Sequence, residues 1–132
     1  MRNGSINNFD YGVELRGFDP LHPFAAGSIV EGLRVSGVGS VGINVINGIV
    51  KGNTVTGSGG SGETGIGARA SVVAGNNATS NDFGFSINSS TTNSGSTVTG
   101  NTAMKNTSVG IFVFCPANLL TTPRSVMVRT TY

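Results

Sequence analysis

The chain has 132 residues, of which 21 are Gly, 15 Ser, 14 Asn and 14 Thr. Strong helix formers are scarce, which excludes a helical bundle, and a formal net charge of +2 gives no electrostatic case for nucleic-acid binding. The length allows one small domain. Regularly spaced Val and Ile residues predict an all-β chain of many short strands and turns.

A first repeated unit begins in the first residues. It consists of an apolar residue, two residues, an Asn position, one residue and a second apolar residue, and its copies are 1–6, 30–35, 50–55, 73–78 and 98–103. Asn53, Asn76 and Asn101 hold the Asn position in the last three copies, whereas Gly4 and Leu33 hold it in the first two. We expect the three asparagines to stack in a turn and to hydrogen-bond as an Asn ladder.

A second unit alternates with the first along the chain. It reads Gly, apolar residue, any residue, apolar residue, and its copies begin at Gly12, Gly42, Gly65, Gly84 and Gly110. Each unit fits a short strand whose side chains alternate between two faces. Strands this short bury an apolar face when the chain coils and each strand pairs in parallel with its copy one repeat later.

The two units together predict a short right-handed single-stranded parallel β-helix, that is, a β-solenoid of about five coils. The repeats cover 1–115, with a loop insertion at 18–27. The segment 116–132 is predicted to be a degenerate last coil, a cap or a tail. Polar segments at 57–65 and 89–95 are predicted to be flexible loops.

The Val-x-Gly-Asn-x-Val/Ala and Gly-Ile-x-Val units resemble the repeats of the right-handed parallel β-helix of the pectate-lyase-like superfamily. The resemblance covers about residues 1–115 and implies the fold, because that superfamily contains lyases, hydrolases, epimerases, phage tailspikes and surface proteins. It also implies an extracellular or cell-surface location, although the first residues lack the apolar segment of a signal peptide.

The best candidate for ligand binding is an outward polar cluster on the first predicted coil. It contains Asp10, Glu14 and Arg16, with Asp19 and His22 in the loop that follows. Polar side chains of this kind can bind sugar hydroxyls. A solvated face with ion pairs is the alternative interpretation.

No catalytic residue is predicted. Glycoside hydrolysis usually needs two facing carboxylates, and the six acidic residues are not expected to stack in one column of the coils. His22 is the only histidine and Cys115 the only cysteine, so we predict no metal site and no cofactor. The sequence therefore favours a non-catalytic protein and leaves enzyme activity open.

Two further surface features follow from the repeat alignment. Arg2, Glu31 and Lys51 share one outward position on successive coils and are predicted to form a ladder of alternating charge. Phe112 and Phe114 are predicted to point outward on the last coil, beside an unpaired strand edge. Either the chain's own tail or a second subunit is expected to cover them.

Three functions are compatible with these features. The first is a non-catalytic β-helix module, or the remnant of a larger β-helix protein, that binds carbohydrate or another surface ligand and forms a homo-oligomer through its ends. The second is the polysaccharide-active lyase or hydrolase that the resemblance implies. The third is an ice-binding solenoid, because Thr54 and Thr56 belong to an outward polar array. Nucleic acids and membranes are not expected as partners.

Overall fold

The computed structural model describes residues 1–15, 27–57, 60–88 and 95–114, together with the backbone of a strand at 125–128. The secondary structure of these residues consists of strands, with no helix, as expected for segments rich in Val, Ile and Thr. In particular, none of the described segments is a helix long and apolar enough to cross a membrane.

The strands form three sheets that run along the solenoid. Sheet 1 consists of β1 (Ser5–Asn7), β4 (Arg34–Ser36), β7 (Thr54–Thr56), β10 (Asn77–Thr79) and β13 (Thr102–Met104). Sheet 2 consists of β2 (Tyr11–Leu15), β5 (Val41–Ile46), β8 (Thr64–Arg69), β11 (Phe83–Asn88), β14 (Val109–Phe114) and β15 (Ser125–Val128). Sheet 3 consists of β3 (Ser28–Glu31), β6 (Gly48–Lys51), β9 (Val72–Ala74) and β12 (Thr97–Thr99).

The predicted parallel β-solenoid is confirmed. Each strand from β1 to β11 pairs in parallel with the strand three places later in the chain, so every coil contributes one strand to each sheet. An inward column of sheet 2 passes through Val13, Ile43, Ile66, Phe85 and Ile111. These are the residues that follow the Gly of the second repeated unit, so the period of the sequence sets the register.

The predicted number of coils was too high. The solenoid makes about three turns, because the four strands of sheet 3 are joined by three successive parallel pairings, from β3 to β12. Partial coils at the two ends supply the additional strands of sheets 1 and 2. The prediction of about five counted every copy of a repeated unit as a complete coil.

The apolar core lies between the three sheets. Val30, Val35, Val55, Ile66 and Phe85 each keep at most 2% of their surface exposed, and they come from all three sheets. Burying one such side chain stabilises the fold by about 1.5–3 kcal/mol. Because the inward residues fill the core, any ligand site must be built from outward residues and turns.

Glycine is needed at two kinds of position. The residue before the Asn position has a φ between 60 and 65° in four coils, where glycine avoids the steric cost of the left-handed region: Gly32, Gly52, Gly75 and Gly100. At Gly65 the reason is space, because a Cβ atom would lie 2.7 Å from the carbonyl oxygen of Gly84 on the next coil.

The loop predicted at 57–65 is wrong in its last two residues, which belong to a strand. β8 begins at Thr64, which pairs with Val41, and the preceding Glu63 is buried. The cluster of Gly and Ser suggested a loop, but cross-strand pairing extends the sheet into it. The insertion at 18–27, the loop at 89–95 and the tail at 116–132 lie outside the described residues, except for Gly27, Gly95 and the backbone of β15.

Candidate functional site

The turn from sheet 3 into sheet 1, here called the asparagine corner, contains Asn53, Asn76 and Asn101 in a stack. The Asn76 Oδ1 atom accepts hydrogen bonds from the backbone N–H of Asn53 at 3.0 Å and from its Nδ2 at 2.9 Å. The Asn76 Nδ2 atom donates to the Val50 carbonyl and to Asn101 Oδ1, both at 2.9 Å. These amides are committed to structural hydrogen bonds and are therefore poorly placed to bind a ligand.

The turn from sheet 1 into sheet 2, here called the acidic corner, contains Asp10, Ser40, Glu63, Asp82 and Ser108. Each lies two positions before the Gly of the second repeated unit, and the residues that follow them pair across sheet 2. Glu63 and Asp82 thus occupy the same position on adjacent coils, and both are buried. The expectation that no acidic residues share a column was wrong.

The sequence contains a pattern that predicts the adjacency of Glu63 and Asp82. The offset from Gly65 to Glu63 equals the offset from Gly84 to Asp82. It was missed because 57–65 was interpreted as a loop, which removed Glu63 from the repeat alignment.

Asp82 links three coils through its carboxylate. Oδ2 accepts a hydrogen bond from the backbone N–H of Gly62 at 2.7 Å, and Oδ1 accepts one from the Thr107 hydroxyl at 2.9 Å and one from the Ser108 hydroxyl. The Ser108 hydroxyl first, then Gly62 and Thr107, lower the pKa of Asp82 below its ordinary value, against the opposing effect of burial. Asp82 is therefore an ionised structural anchor at neutral pH.

The outer face of sheet 2 has a groove of about 510 Å³ that extends across β5, β8, β11 and β14. Its floor is Gly67, which pairs with Asn44 on one side and Ser86 on the other. Because Gly67 has no side chain, its two neighbours form walls, and a Cβ atom there would lie 2.9 Å from Asn44 Oδ1. Asn88 and the ring of Phe114 continue the lining toward the last coil.

Arg69 also lines this groove and lies in register between Ile46 and Asn88. The Nε atom of Arg69 is buried and has no hydrogen-bond acceptor. An unsatisfied buried donor costs free energy, about 1–3 kcal/mol for a typical group. Sequence reasoning placed Arg69 on the outward side of its strand but did not select it, because nothing in the repeat distinguishes it from other outward residues.

The predicted polar cluster is only partly described. Asp10 and Glu14 are both exposed, and the Asn44 Nδ2 atom donates a hydrogen bond of 3.5 Å to Glu14 Oε1. This bond connects Glu14 to the residue that forms one wall of the groove. The other three members lie outside the described residues: Arg16, Asp19 and His22.

The last coil places Phe112 beside Ser86 and Phe114 beside Asn88, as the repeat alignment predicts. Phe114 remains half exposed, at 49%. The edge of β14 is paired with β15 in antiparallel orientation, with Phe112 opposite Met127. Of the two expected covers for this edge, the structure therefore shows the chain's own tail.

The charge ladder is confirmed on the outer face of sheet 3. Glu31 Oε2 lies 3.2 Å from Arg2 Nε, and Glu31 Oε1 lies 3.0 Å from Lys51 Nζ. All three side chains are substantially exposed to solvent, so each pair contributes at most about 1 kcal/mol.

No group of three or more His, Cys, Asp or Glu side chains among the described residues could hold a metal ion. No protein-family model matches the chain, and neither a curated protein nor a solved structure matches it. The resemblance to known repeats therefore extends as far as the parallel β-solenoid architecture itself.

Proposed function

We propose that the chain is a non-catalytic β-solenoid module that binds a carbohydrate in the groove on the outer face of sheet 2. The observation that supports this is the combination of a concave surface, polar side chains and an aromatic ring in one place. Asn44, Thr64, Ser86 and Asn88 provide donors and acceptors for sugar hydroxyls. The ring of Phe114 provides an apolar surface for the C–H face of a sugar.

The length of the groove favours an oligosaccharide over a single sugar. Its lining comes from four successive strands of sheet 2, which span roughly 14 Å at a strand spacing of about 4.8 Å. Membership of the pectate-lyase-like superfamily would agree with a polysaccharide ligand and a cell-surface location, and both belong to this proposal. Self-association through the ends of the solenoid also belongs to it as a separate proposal.

A polysaccharide-active enzyme is the second candidate, and the acidic corner is the observation that favours it. Glu63 and Asp82 are carboxylates on adjacent coils, and a pair of carboxylates is the usual requirement for glycoside hydrolysis. The hydrogen bonds of Asp82 lower its pKa below the ordinary value, so its carboxylate is ionised at neutral pH, as a base would have to be. Against this candidate, both side chains are buried, so a substrate has little access to them.

An ice-binding surface is a third candidate, on the outer face of sheet 1. Ser36, Thr56 and Thr79 stack in register in one outward column. Arg34 stands beside Thr54 in the other column and interrupts it. Thermal-hysteresis measurement on the purified chain tests this candidate directly.

A glycan array followed by calorimetric titration tests the carbohydrate proposal. We compare the wild-type chain with Gly67→Val, which fills the floor of the groove, and with Thr56→Val, a matched change on the outer face of sheet 1. We expect wild type and Thr56→Val to bind the same oligosaccharides and Gly67→Val to bind at least about tenfold more weakly, because the walls are forced apart. Unfolding curves check that both variants fold.

Binding that survives unchanged in Gly67→Val removes the groove as the site, and an array with no bound glycan overturns the proposal. Release of reducing or unsaturated ends from a bound polysaccharide, abolished by Asp82→Asn, would favour the enzyme instead.

A further inference from the structure

Arg69 is the one charged side chain among the described residues that line the groove. The other described residues that line it are neutral, including Asn44, Thr64, Ser86 and Asn88. Among the described residues, the charge of the groove is therefore concentrated at one point, on the second of its four strands.

The environment of Arg69 leaves part of its hydrogen-bonding capacity unused. Its in-register neighbours, Ile46 and Asn88, carry no negative charge, and its Nε atom is buried without an acceptor. A guanidinium whose fork is not held by a protein carboxylate can turn toward a ligand oxyanion and form charge-assisted hydrogen bonds with it. A ligand that supplies such an oxyanion satisfies a donor that the free protein leaves unpaired.

We infer that the groove selects a saccharide in which one oxyanion, a carboxylate or a sulfate ester, lies among neutral sugar units. This inference rests on the proposed function, because it concerns the same site. A polyanion with a charge on every unit is disfavoured, since the described lining offers one cation, Arg69, along four strands. Its further charges would lie beside neutral residues and approach Glu14, which is joined to the groove wall at Asn44.

Four matched probes test the inference by calorimetric titration. They are cellotetraose, cellotetraose ending in one glucuronate, cellotetraose with one 6-sulfate, and the β-1,4-linked tetraglucuronate. The proteins are wild type, Arg69→Gln, and Arg34→Gln, which removes an exposed arginine from the outer face of sheet 1. The arginine Nε–H resonance of Arg69 is followed by NMR in the same titrations.

We expect at least one singly charged probe to bind wild type about tenfold to a hundredfold more tightly than cellotetraose does, because hydrogen bonds to charged groups are the stronger ones. The gain should disappear in Arg69→Gln, persist in Arg34→Gln, and accompany a saturable shift of the Arg69 Nε–H resonance. The carboxylate and sulfate probes show which oxyanion the groove prefers.

Equal binding of charged and neutral probes overturns the inference and leaves the proposed function intact. Tighter binding of tetraglucuronate than of either singly charged probe overturns the preference for a single oxyanion. A loss in Arg34→Gln as large as that in Arg69→Gln overturns the assignment to Arg69. If none of the four probes binds wild type, the inference fails; the proposed function fails with it when the glycan array also shows no bound glycan.

Discussion

The asparagine corner and the acidic corner both turn the chain through a residue with positive φ, but they differ in how often that residue is glycine. At the asparagine corner this residue is glycine in four coils, with φ between 60 and 65°. At the acidic corner it is Gly37 in one coil, with φ of 60°, whereas Asn8, Ser80 and Lys105 adopt φ of 61, 58 and 54°, which is less favourable for a residue that has a Cβ atom. The acidic corner therefore needs other interactions to hold its conformation.

Those interactions differ in kind. The asparagine corner is neutral and repetitive, because each amide bonds to the equivalent amide on the next coil. The acidic corner has a shorter amide stack, in which Asn81 donates to Asn106 Oδ1, and adds the ionised Asp82. The turns of the acidic corner also differ in length from coil to coil, since the turn at 57–63 is longer than the turn at 80–82. The comparison indicates that the turn of uniform length is stabilised by an amide ladder alone, whereas the turn of variable length combines a shorter amide stack with a charged anchor.

The largest effect is expected for Asn76→Ala, in the middle of the ladder. The change removes four side-chain hydrogen bonds and leaves the buried Asn53 N–H without its partner, so the free energy of unfolding should fall by about 2–4 kcal/mol. Urea unfolding measures it. The matched control is Asn77→Ala on the outward side, expected to cost less than about 1 kcal/mol. Equal losses in the two variants would contradict a stabilising ladder.

The second largest effect is expected for Asp82→Asn, and it distinguishes the two corners because it changes how the free energy of unfolding depends on pH. The lowered pKa of Asp82 adds stability that is fully present above the ordinary Asp value, near 3.9, and is lost as the pH falls through the lower folded-state pKa. Asp82→Asn should therefore cost about 1–2 kcal/mol at pH 7 and show a weaker fall in stability at acid pH than wild type.

Asn76→Ala is the control for this measurement, because an amide does not titrate. Its free energy of unfolding should fall with acid as steeply as that of wild type. A wild-type pH profile that Asp82→Asn leaves unchanged would mean that the carboxylate does not anchor the corner.

A smaller effect is expected for Asn101→Ala, at the last coil of the ladder. Asn101 accepts bonds from Asn76 and donates to Val73 at 2.8 Å, but it is only half-buried. Water can replace part of the lost bonding, so we expect a loss of about 1 kcal/mol in urea unfolding. A loss equal to that of Asn76→Ala would show that burial does not control the strength of the ladder.

The smallest effect is expected outside both corners, at the exposed charge ladder. Lys51→Gln breaks the 3.0 Å pair with Glu31 and should lower the free energy of unfolding by less than about 1 kcal/mol, with the difference vanishing in about 1 M salt. A larger loss that persists in high salt would mean that surface charge matters as much as the buried corners do.

The sequence predicted the repetitive features well, because each coil adds one residue to each column. Counting from one copy to the next placed Ile66 beside Ile43 and Asn76 beside Asn53, and the pairing across sheet 2 and the hydrogen bonds of the ladder agree with that count. The same count placed Glu31 between Arg2 and Lys51.

The groove was harder to predict than the columns. Gly67 is an outward position like Asn44 and Ser86, and the repeat pattern gives no reason to single it out. A groove arises because a residue without a side chain lies between two residues with side chains. The three residues belong to three different coils, so the groove depends on how these coils are aligned. The polar cluster predicted from the sequence is therefore connected to the groove through the hydrogen bond that Asn44 donates to Glu14.

By itself, the period of the sequence determined the all-β solenoid, the inward columns and the asparagine stack, because parallel pairing at a fixed repeat brings equivalent residues together. Only the tertiary structure decided the number of turns, the groove around Gly67 and the antiparallel strand β15 on the last coil. These features depend on turns of unequal length and on contacts between outward side chains of different coils. A repeat pattern carries no information on either, since it records which residues are equivalent and not how the non-equivalent ones meet in space.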